Sequence, residues 1–215
     1  MVAIPEVRLG LGLRKPRSVA TLNNLLSSMR LFDFIFSFLG LVILSPLLIT
    51  VFLCSNIFQR GSPVFMQKRI GRDEKPFTLI KFRTMRPEIG SVGTHEVDPD
   101  QVTTWGKLLR KTKMDELPQF WNVLKGEMSL VGPRPCLPTQ VQLIEQRGKL
   151  AVFEVLPGIT GLAQIRGIDM SNPDLLAKTD AEMIRTLNLG NYFKYILLTV
   201  CGWGRGDRVI EKSSK

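Results

Sequence analysis

The hydrophobic pattern of the chain is dominated by one segment. From Leu31 to Gln59 the only charged side chain is Asp33, and Phe34 to Cys54 is an almost unbroken apolar run. As a helix, that run is roughly 32 Å long, close to the ~30 Å hydrocarbon thickness of a bilayer, so it can enter a membrane fully. Ser45-Pro46 interrupts it near the middle, and proline there removes a helix hydrogen bond and bends the axis. A kinked spanning helix and a re-entrant path both fit the residues. Asp33 at its start, and Arg30, Arg60, Lys68, Arg69 and Arg72 at its two ends, favour re-entry, because charges of this kind stay at the interface, with basic residues on the cytoplasmic side. About 30 residues precede the run and no small-x-small cleavage pattern follows it, so a retained segment is expected rather than a cleaved signal.

The remaining periodicities are shorter. Pro63-Val64-Phe65-Met66 and Phe77 to Phe82 are β-prone runs around the turn-like Gly71 to Lys75, which predicts a hairpin. Pro87 to Asp100 is polar and broken by glycine and proline, a surface loop. Helical periodicity begins at Trp105 to Leu109. Pro118 suits the first turn of a helix through Gln119, Phe120, Trp121 and Val123, stopped by Gly126. Gly132-Pro133-Arg134-Pro135 is read as a rigid turn, Thr139 to Phe153 as mostly helical, Pro157 to Gly161 as a break, and Asp174 to Cys201 as two helices. The last of these, rich in Tyr192, Phe193, Tyr195 and Ile196, suits either the core or a membrane interface.

The expected class is α+β, mainly helical: a kinked re-entrant membrane helix, a compact cytoplasmic catalytic domain with a short β-hairpin, and interfacial amphipathic helices. Its divisions are a loosely ordered N-terminal extension at 1–28, the membrane helix at 29–60, the catalytic domain at 61–209 and a tail at 210–215.

Composition narrows the partners. The net charge of +10 calls for nucleic acid, anionic lipid or a phosphorylated substrate. Aromatic residues are only 8% and do not interleave with the basic ones, which disfavours a nucleic-acid stacking platform. Cys54, Cys136 and Cys201 are few, dispersed and odd in number, giving neither a disulfide framework nor metal-ligand spacing. The one histidine, His95, cannot build a histidine-based zinc site and reads as a loop residue.

The densest chemistry lies between Lys113 and Pro135. Asp115 and Glu116 stand just before the helix that Pro118 opens, where backbone N–H groups favour an ionised carboxylate able to act as nucleophile or metal ligand. Plain helix capping is the alternative. Arg110, Lys111, Lys113 and Arg134 bring positive charge close in sequence, and Arg134 sits between two prolines. A guanidinium so restrained suits bidentate phosphate binding, with a surface ion pair as the alternative. Lys81 and Arg83 share one strand face, either a phosphate contact or a solvated edge.

Several of these runs together resemble a known family. Lys81-Phe82-Arg83-Thr84-Met85, Asp115-Glu116-Leu117-Pro118-Gln119, Asn122 to Gly126, Met128 to Pro135 and Pro157-Gly158-Ile159-Thr160-Gly161 resemble, in order, the monotopic phosphoglycosyl transferases, the bacterial initiating sugar transferases. The resemblance covers roughly Arg30 to Val209. It implies transfer of a sugar 1-phosphate from a UDP-sugar to undecaprenyl phosphate, releasing UMP, as the first membrane step of a surface glycan such as O-antigen, capsule, exopolysaccharide or glycoprotein glycan. It further implies that Asp115 attacks the β-phosphorus to form a covalent phosphosugar intermediate, that Glu116 is its dyad partner, and that Mg2+ is required, with Asp115 and Glu116 as its ligands. Lys81, Arg83, Arg110, Arg134, Gln164 and Arg166 are implied as substrate or phosphate contacts, and Ser45-Pro46 as a re-entrant kink. The protein would then lie in the bacterial inner membrane with its catalytic domain and both chain ends cytoplasmic; a homodimer is left open.

The sequence also departs from the family pattern. Gln101 stands where many relatives carry an arginine, Leu162 replaces a common tryptophan, Arg166-Gly167-Ile168-Asp169 replaces the usual Asn-Gly-Arg, and Met183 sits where tyrosine is frequent. These changes bear on sugar choice or nucleotide contacts and leave the dyad intact. With no further membrane helices expected before Arg30, the chain resembles the minimal catalytic unit, whose members often use acetamido-deoxy sugars.

Overall fold

A computed structural model describes residues 19–59, 61–87 and 99–202. The extension through residue 18, Arg60, the loop carrying His95 and the tail at 210–215 lie outside the described residues. The first helix, α1, runs Val19–Ile43 and so begins before the boundary expected at residue 29. Helix α2 follows at Ser45–Phe58, and the axes meet at 62°.

The cause of the bend is local. Pro46 has no N–H to donate to the carbonyl four residues back, that of Val42. The Ser45 hydroxyl donates to it instead, at 2.7 Å. Leu44 N–H still bonds Gly40 O and Leu48 N–H bonds Leu44 O, so backbone bonds hold both sides of the break where the helix changes direction. The outer face of the pair is apolar and uncovered: Leu31 is 61% exposed, Ile43 69% and Ile57 76%. Patches of this kind mark a surface that water does not normally cover. Among the described residues no single helix is long and apolar enough to cross a membrane, although the bent pair is when taken together.

The hairpin forms as expected. Strands β1 (Val64–Ile70) and β2 (Pro76–Phe82) pair antiparallel from Val64↔Phe82 to Ile70↔Pro76. Next come α3 (Thr104–Thr112), whose N-cap Thr103 hydroxyl accepts from Gly106 N–H, and the short α4 (Gln119–Leu124). The run read as a break, Pro157 to Gly161, instead contains a short strand, β4 (Gly158–Thr160), which pairs in parallel with β3 (Ser129–Val131), a strand just before the turn at Gly132 to Pro135. Glycine makes this pairing possible: a Cβ on Gly158 would lie 2.0 Å from the Gly132 nitrogen. Three-residue strands carry too little alternation to be seen in a sequence. Helices α5 (Val141–Lys149), α6 (Leu162–Ile165), α7 (Pro173–Thr186) and α8 (Leu189–Val200) complete the described chain. The last two are the pair expected from Asp174 onward.

One core joins α1 to the rest through Met29, Leu79, Val123, Leu130, Tyr192 and Tyr195. Asp33 was expected at a membrane interface, yet it is 1% exposed and enclosed by protein. Its Oδ1 accepts from Leu130 N–H of β3 at 2.9 Å and from the Tyr192 hydroxyl of α8 at 2.7 Å. Arg30 lies beside it, 3.7 Å from Oδ2, and donates to the carbonyls of Met128 and Val123. The helix that carries the apolar face is thus fixed to β3, α4 and α8 by buried polar bonds.

Leucine at position 33 leaves two buried donors without an acceptor, and each such group costs about 1–3 kcal/mol. Asp33→Leu is therefore expected to lower stability by roughly 2–5 kcal/mol, and Tyr192→Phe by about 1 kcal/mol, in thermal or denaturant unfolding in detergent. Equal losses for the two variants would contradict this account of the bonds.

Candidate active site

Helix α3 ends at Lys113, whose backbone is left-handed at φ 57°, ψ 16°, with its N–H bonded to Arg110 O. A 3-10 turn over Met114–Glu116 follows, closed by bonds from Glu116 N–H to Lys113 O and from Leu117 N–H to Met114 O. Asp115 is buried at 8% exposure and Glu116 half-buried. Pro118 occupies the N-cap of α4 and makes no side-chain cap bond there.

Glu116 pairs with Arg134, whose Nη2 donates to Oε1 at 3.0 Å. Arg134 is presented by a loop held from behind. Its own carbonyl accepts from Arg147 Nη1 at 2.8 Å, and the next carbonyl, of Pro135, accepts from Arg69 Nη1 at 3.0 Å. Both guanidiniums are buried: Arg147 also binds Asp180 Oδ2 through Nε and Nη2 at 3.0 and 2.7 Å, and Arg69 binds Gln67 Oε1 at 3.1 and 2.7 Å. Arg69, expected at a membrane flank, is instead enclosed by protein at 5% exposure. Arg147 and Asp180 stand in no motif, and their single signal in the sequence is the i, i+3/i+4 apolar setting of a charge on each helix.

The other expected contacts sit as follows. Arg110 donates from Nε to the Thr84 hydroxyl at 2.9 Å, and α3 reaches Thr84 because Gly106 has no Cβ, which would lie 2.0 Å from Thr84 O. Lys81 and Arg83 do share a face: both lie over the Phe65 ring, at 5.5 and 5.3 Å from its centroid, and Arg83 Nε donates to Ser62 O. β2 packs against the turn bearing Asp115 and Glu116. Arg166 forms a bidentate pair with Glu182 of α7 at 2.8 and 2.9 Å, which holds the Glu182 carboxyl below its usual range. Both amide atoms of Gln164 are buried without a hydrogen-bond partner.

Beside the turn opens a cavity of about 1070 Å³. Its lining combines Arg110, Lys111, Lys113 and Glu116 with Phe36 of α1, Phe120 of α4 and Phe193, Ile196 and Val200 of α8. Burial pushes the Lys113 ammonium below its ordinary range, and Glu116 pulls it back up. Among the described residues no group of three or more His, Cys, Asp or Glu side chains could enclose a metal ion. Two adjacent carboxylates do fit Mg2+, which keeps several waters and commonly takes one or two carboxylates together with substrate phosphate oxygens.

The family model described as bacterial sugar transferase matches residues 25–205. A protein named uncharacterized sugar transferase EpsL, of Bacillus subtilis (strain 168), is 53% identical over 108 residues, covering 50% of this chain and 53% of its own. A UDP-glucose:undecaprenyl-phosphate glucose-1-phosphate transferase of Caulobacter vibrioides is 35% identical over 180 residues, covering 80% of this chain and 67% of its own. A UDP-N-acetylgalactosamine-undecaprenyl-phosphate N-acetylgalactosaminephosphotransferase of Aeromonas hydrophila is 36% identical over 137 residues, 62% of this chain and 32% of its own. Against several relatives the chain spans only about a third to a half of their length.

Removing one partner of a buried ion pair costs about 3–5 kcal/mol, whereas replacing both by apolar groups is often neutral. Arg147→Met should therefore destabilise the protein by roughly that amount in chemical denaturation, and the double variant Arg147→Met/Asp180→Leu should recover most of it. Even with the fold recovered, the double variant should stay slow in turnover, because Arg134 O has lost its donor.

Proposed function

The chain belongs to the bacterial sugar transferase family, and on that premise we propose that it is a phosphoglycosyl transferase moving a sugar 1-phosphate from a UDP-sugar to undecaprenyl phosphate. The observation that carries this reading is the site itself: a buried Asp115 beside a Glu116–Arg134 pair, next to a cavity whose lining joins cations to aromatic and aliphatic walls. A water-soluble diphosphate and a lipid phosphate need such a mixed lining if they are to meet at one nucleophile.

In the proposed mechanism an Asp115 carboxylate oxygen attacks the β-phosphorus of the UDP-sugar. The new P–O bond forms as the bond from that phosphorus to the bridging oxygen breaks, and UMP departs with the electron pair. An oxygen of undecaprenyl phosphate then attacks the same phosphorus and expels the Asp115 carboxylate, giving the diphosphate-linked sugar. Splitting the transfer in two lets the substrates use one nucleophile in turn. Glu116, oriented by Arg134, flanks the attacked group, and Arg110 and Lys113 offset its charge. Asp115 and Glu116 would hold Mg2+, whose chemistry is to neutralise the diphosphate oxygens as UMP leaves.

The bent α1–α2 pair is read as a re-entrant element of the bacterial inner membrane, with the catalytic domain on the cytoplasmic side. The Ser45 bond to Val42 O and the exposed apolar face support this. For the sugar we propose an acetamido-deoxy sugar at the first step of a surface glycan. The names of the relatives include both glucose and N-acetylgalactosamine, so a panel of UDP-sugars read by UMP release decides between them.

Purified protein given UDP-sugar, Mg2+ and undecaprenyl phosphate is expected to release UMP in step with lipid-linked sugar. UMP release with no lipid product would make it a diphosphate hydrolase instead. Asp115→Asn should lower turnover by at least about a thousandfold, as loss of a nucleophile does elsewhere, and chelation of Mg2+ should stop the reaction reversibly.

A further inference from the structure

Helix α1 contains one glycine, Gly40, and α2 contains none. Glycine weakens a helix interior relative to alanine, so its place there calls for a neighbour that needs the space. That neighbour is the ring of Phe120 on α4: a Cβ on Gly40 would lie 2.8 Å from Phe120 Cε2 and 3.1 Å from Cδ2. Gly40 continues the face of α1 that carries the buried Asp33 and Ser37, at i, i+4 and i+7, and its carbonyl accepts Leu44 N–H one turn before the bend. Close packing would account for this glycine by itself if the ring were sealed in the core. It is not, because Phe120 also lines the cavity. One ring thus meets α1 and the cavity together, and where it stands sets the room the cavity has.

The cavity also borders the uncovered apolar surface. Phe36 of α1 and Val200 of α8 both line it and are both exposed. Phe36 belongs to the exposed apolar face of the bent pair, and Val200 lies beside Leu197, likewise exposed, on α8. Glu116 of the dyad turn lines the same cavity. A hydrocarbon chain that ends in a phosphate suits such a border, because its chain can reach in from the apolar side while its charged end meets the turn.

Resting on the transferase reading, we propose that the Gly40–Phe120 contact shapes the part of the cavity that takes the acceptor's hydrocarbon next to its phosphate. Phe120 is then a specificity-determining residue for the lipid substrate. Gly40 touches no substrate; it is a positioning residue that acts through the ring.

A volume-compensation cycle tests this. Gly40→Ala drives the ring toward the cavity, Phe120→Leu leaves a gap there, and the double variant adds a methyl group on one side while removing a similar volume on the other. Room for one methylene in an apolar pocket changes recognition by about tenfold or more. Each single variant should therefore raise the KM for undecaprenyl phosphate by about tenfold, and Gly40→Ala/Phe120→Leu should return it to within about threefold of the wild type. In Gly40→Ala the KM for the UDP-sugar should stay within about threefold. If that variant does not fold in detergent, Phe120→Leu and the double variant carry the same comparison. An unchanged lipid KM in the single variants, effects that simply add in the double one, or an equal rise in both KM values would overturn the assignment while leaving the transferase reading intact. Absence of lipid-linked product in the wild type would instead overturn that reading, and this assignment with it.

Discussion

The carboxylate of Asp33 is the point on which the arrangement turns. A carboxylate taken out of water must be surrounded by donors or it destabilises the fold, and here the donors come from three separate parts of the chain: Leu130 N–H of β3, the Tyr192 hydroxyl of α8 and the Arg30 guanidinium one turn away. Because β3 and α8 are thereby fixed to α1, the apolar face of the bent pair and the cavity beside the Asp115–Glu116 turn hold a set relation. Phe36 of α1 and Phe193 of α8, stacked edge-to-face at 6.2 Å, extend the same junction into the cavity lining. The placement of the apolar face and the shape of the cavity rest on one set of buried bonds.

A second set works behind the dyad. Arg147 and Arg69 are almost fully buried, a state in which a guanidinium is tolerated only when its donors are used. They use them on backbone carbonyls of the Arg134 loop, and Asp180 balances Arg147. The effect is preorganisation: Arg134 already faces Glu116, so little rearrangement is needed when negative charge arrives. Between Pro133 and Pro135 the backbone has little freedom to drift.

The sequence made the large apolar run and its Ser45-Pro46 bend legible, because proline acts locally and its missing N–H has a predictable target. The hairpin and the paired C-terminal helices were legible for a similar reason: their periodicities are long enough to register. The parallel β3–β4 pair was not, since strands of three residues joined across 29 positions depend on Gly132 and Gly158 approaching in space. At the site, motif residues pointed to Asp115, Glu116 and Arg134. They did not point to Asp33, Arg69, Arg147 and Asp180, whose partners lie far off in sequence, nor to the Glu182 that pairs with Arg166. Charge patterning counts such residues as surface until burial is known.

The central claim is that Asp115 carries the sugar phosphate between the two substrates. Rapid quenching of the protein with UDP-sugar and Mg2+ in the absence of lipid, followed by peptide mass mapping, tests it most directly. The account predicts a phosphosugar adduct on the peptide bearing Asp115, discharged when undecaprenyl phosphate is added. An adduct on another residue, or lipid-linked product formed with no adduct at any time, would contradict it.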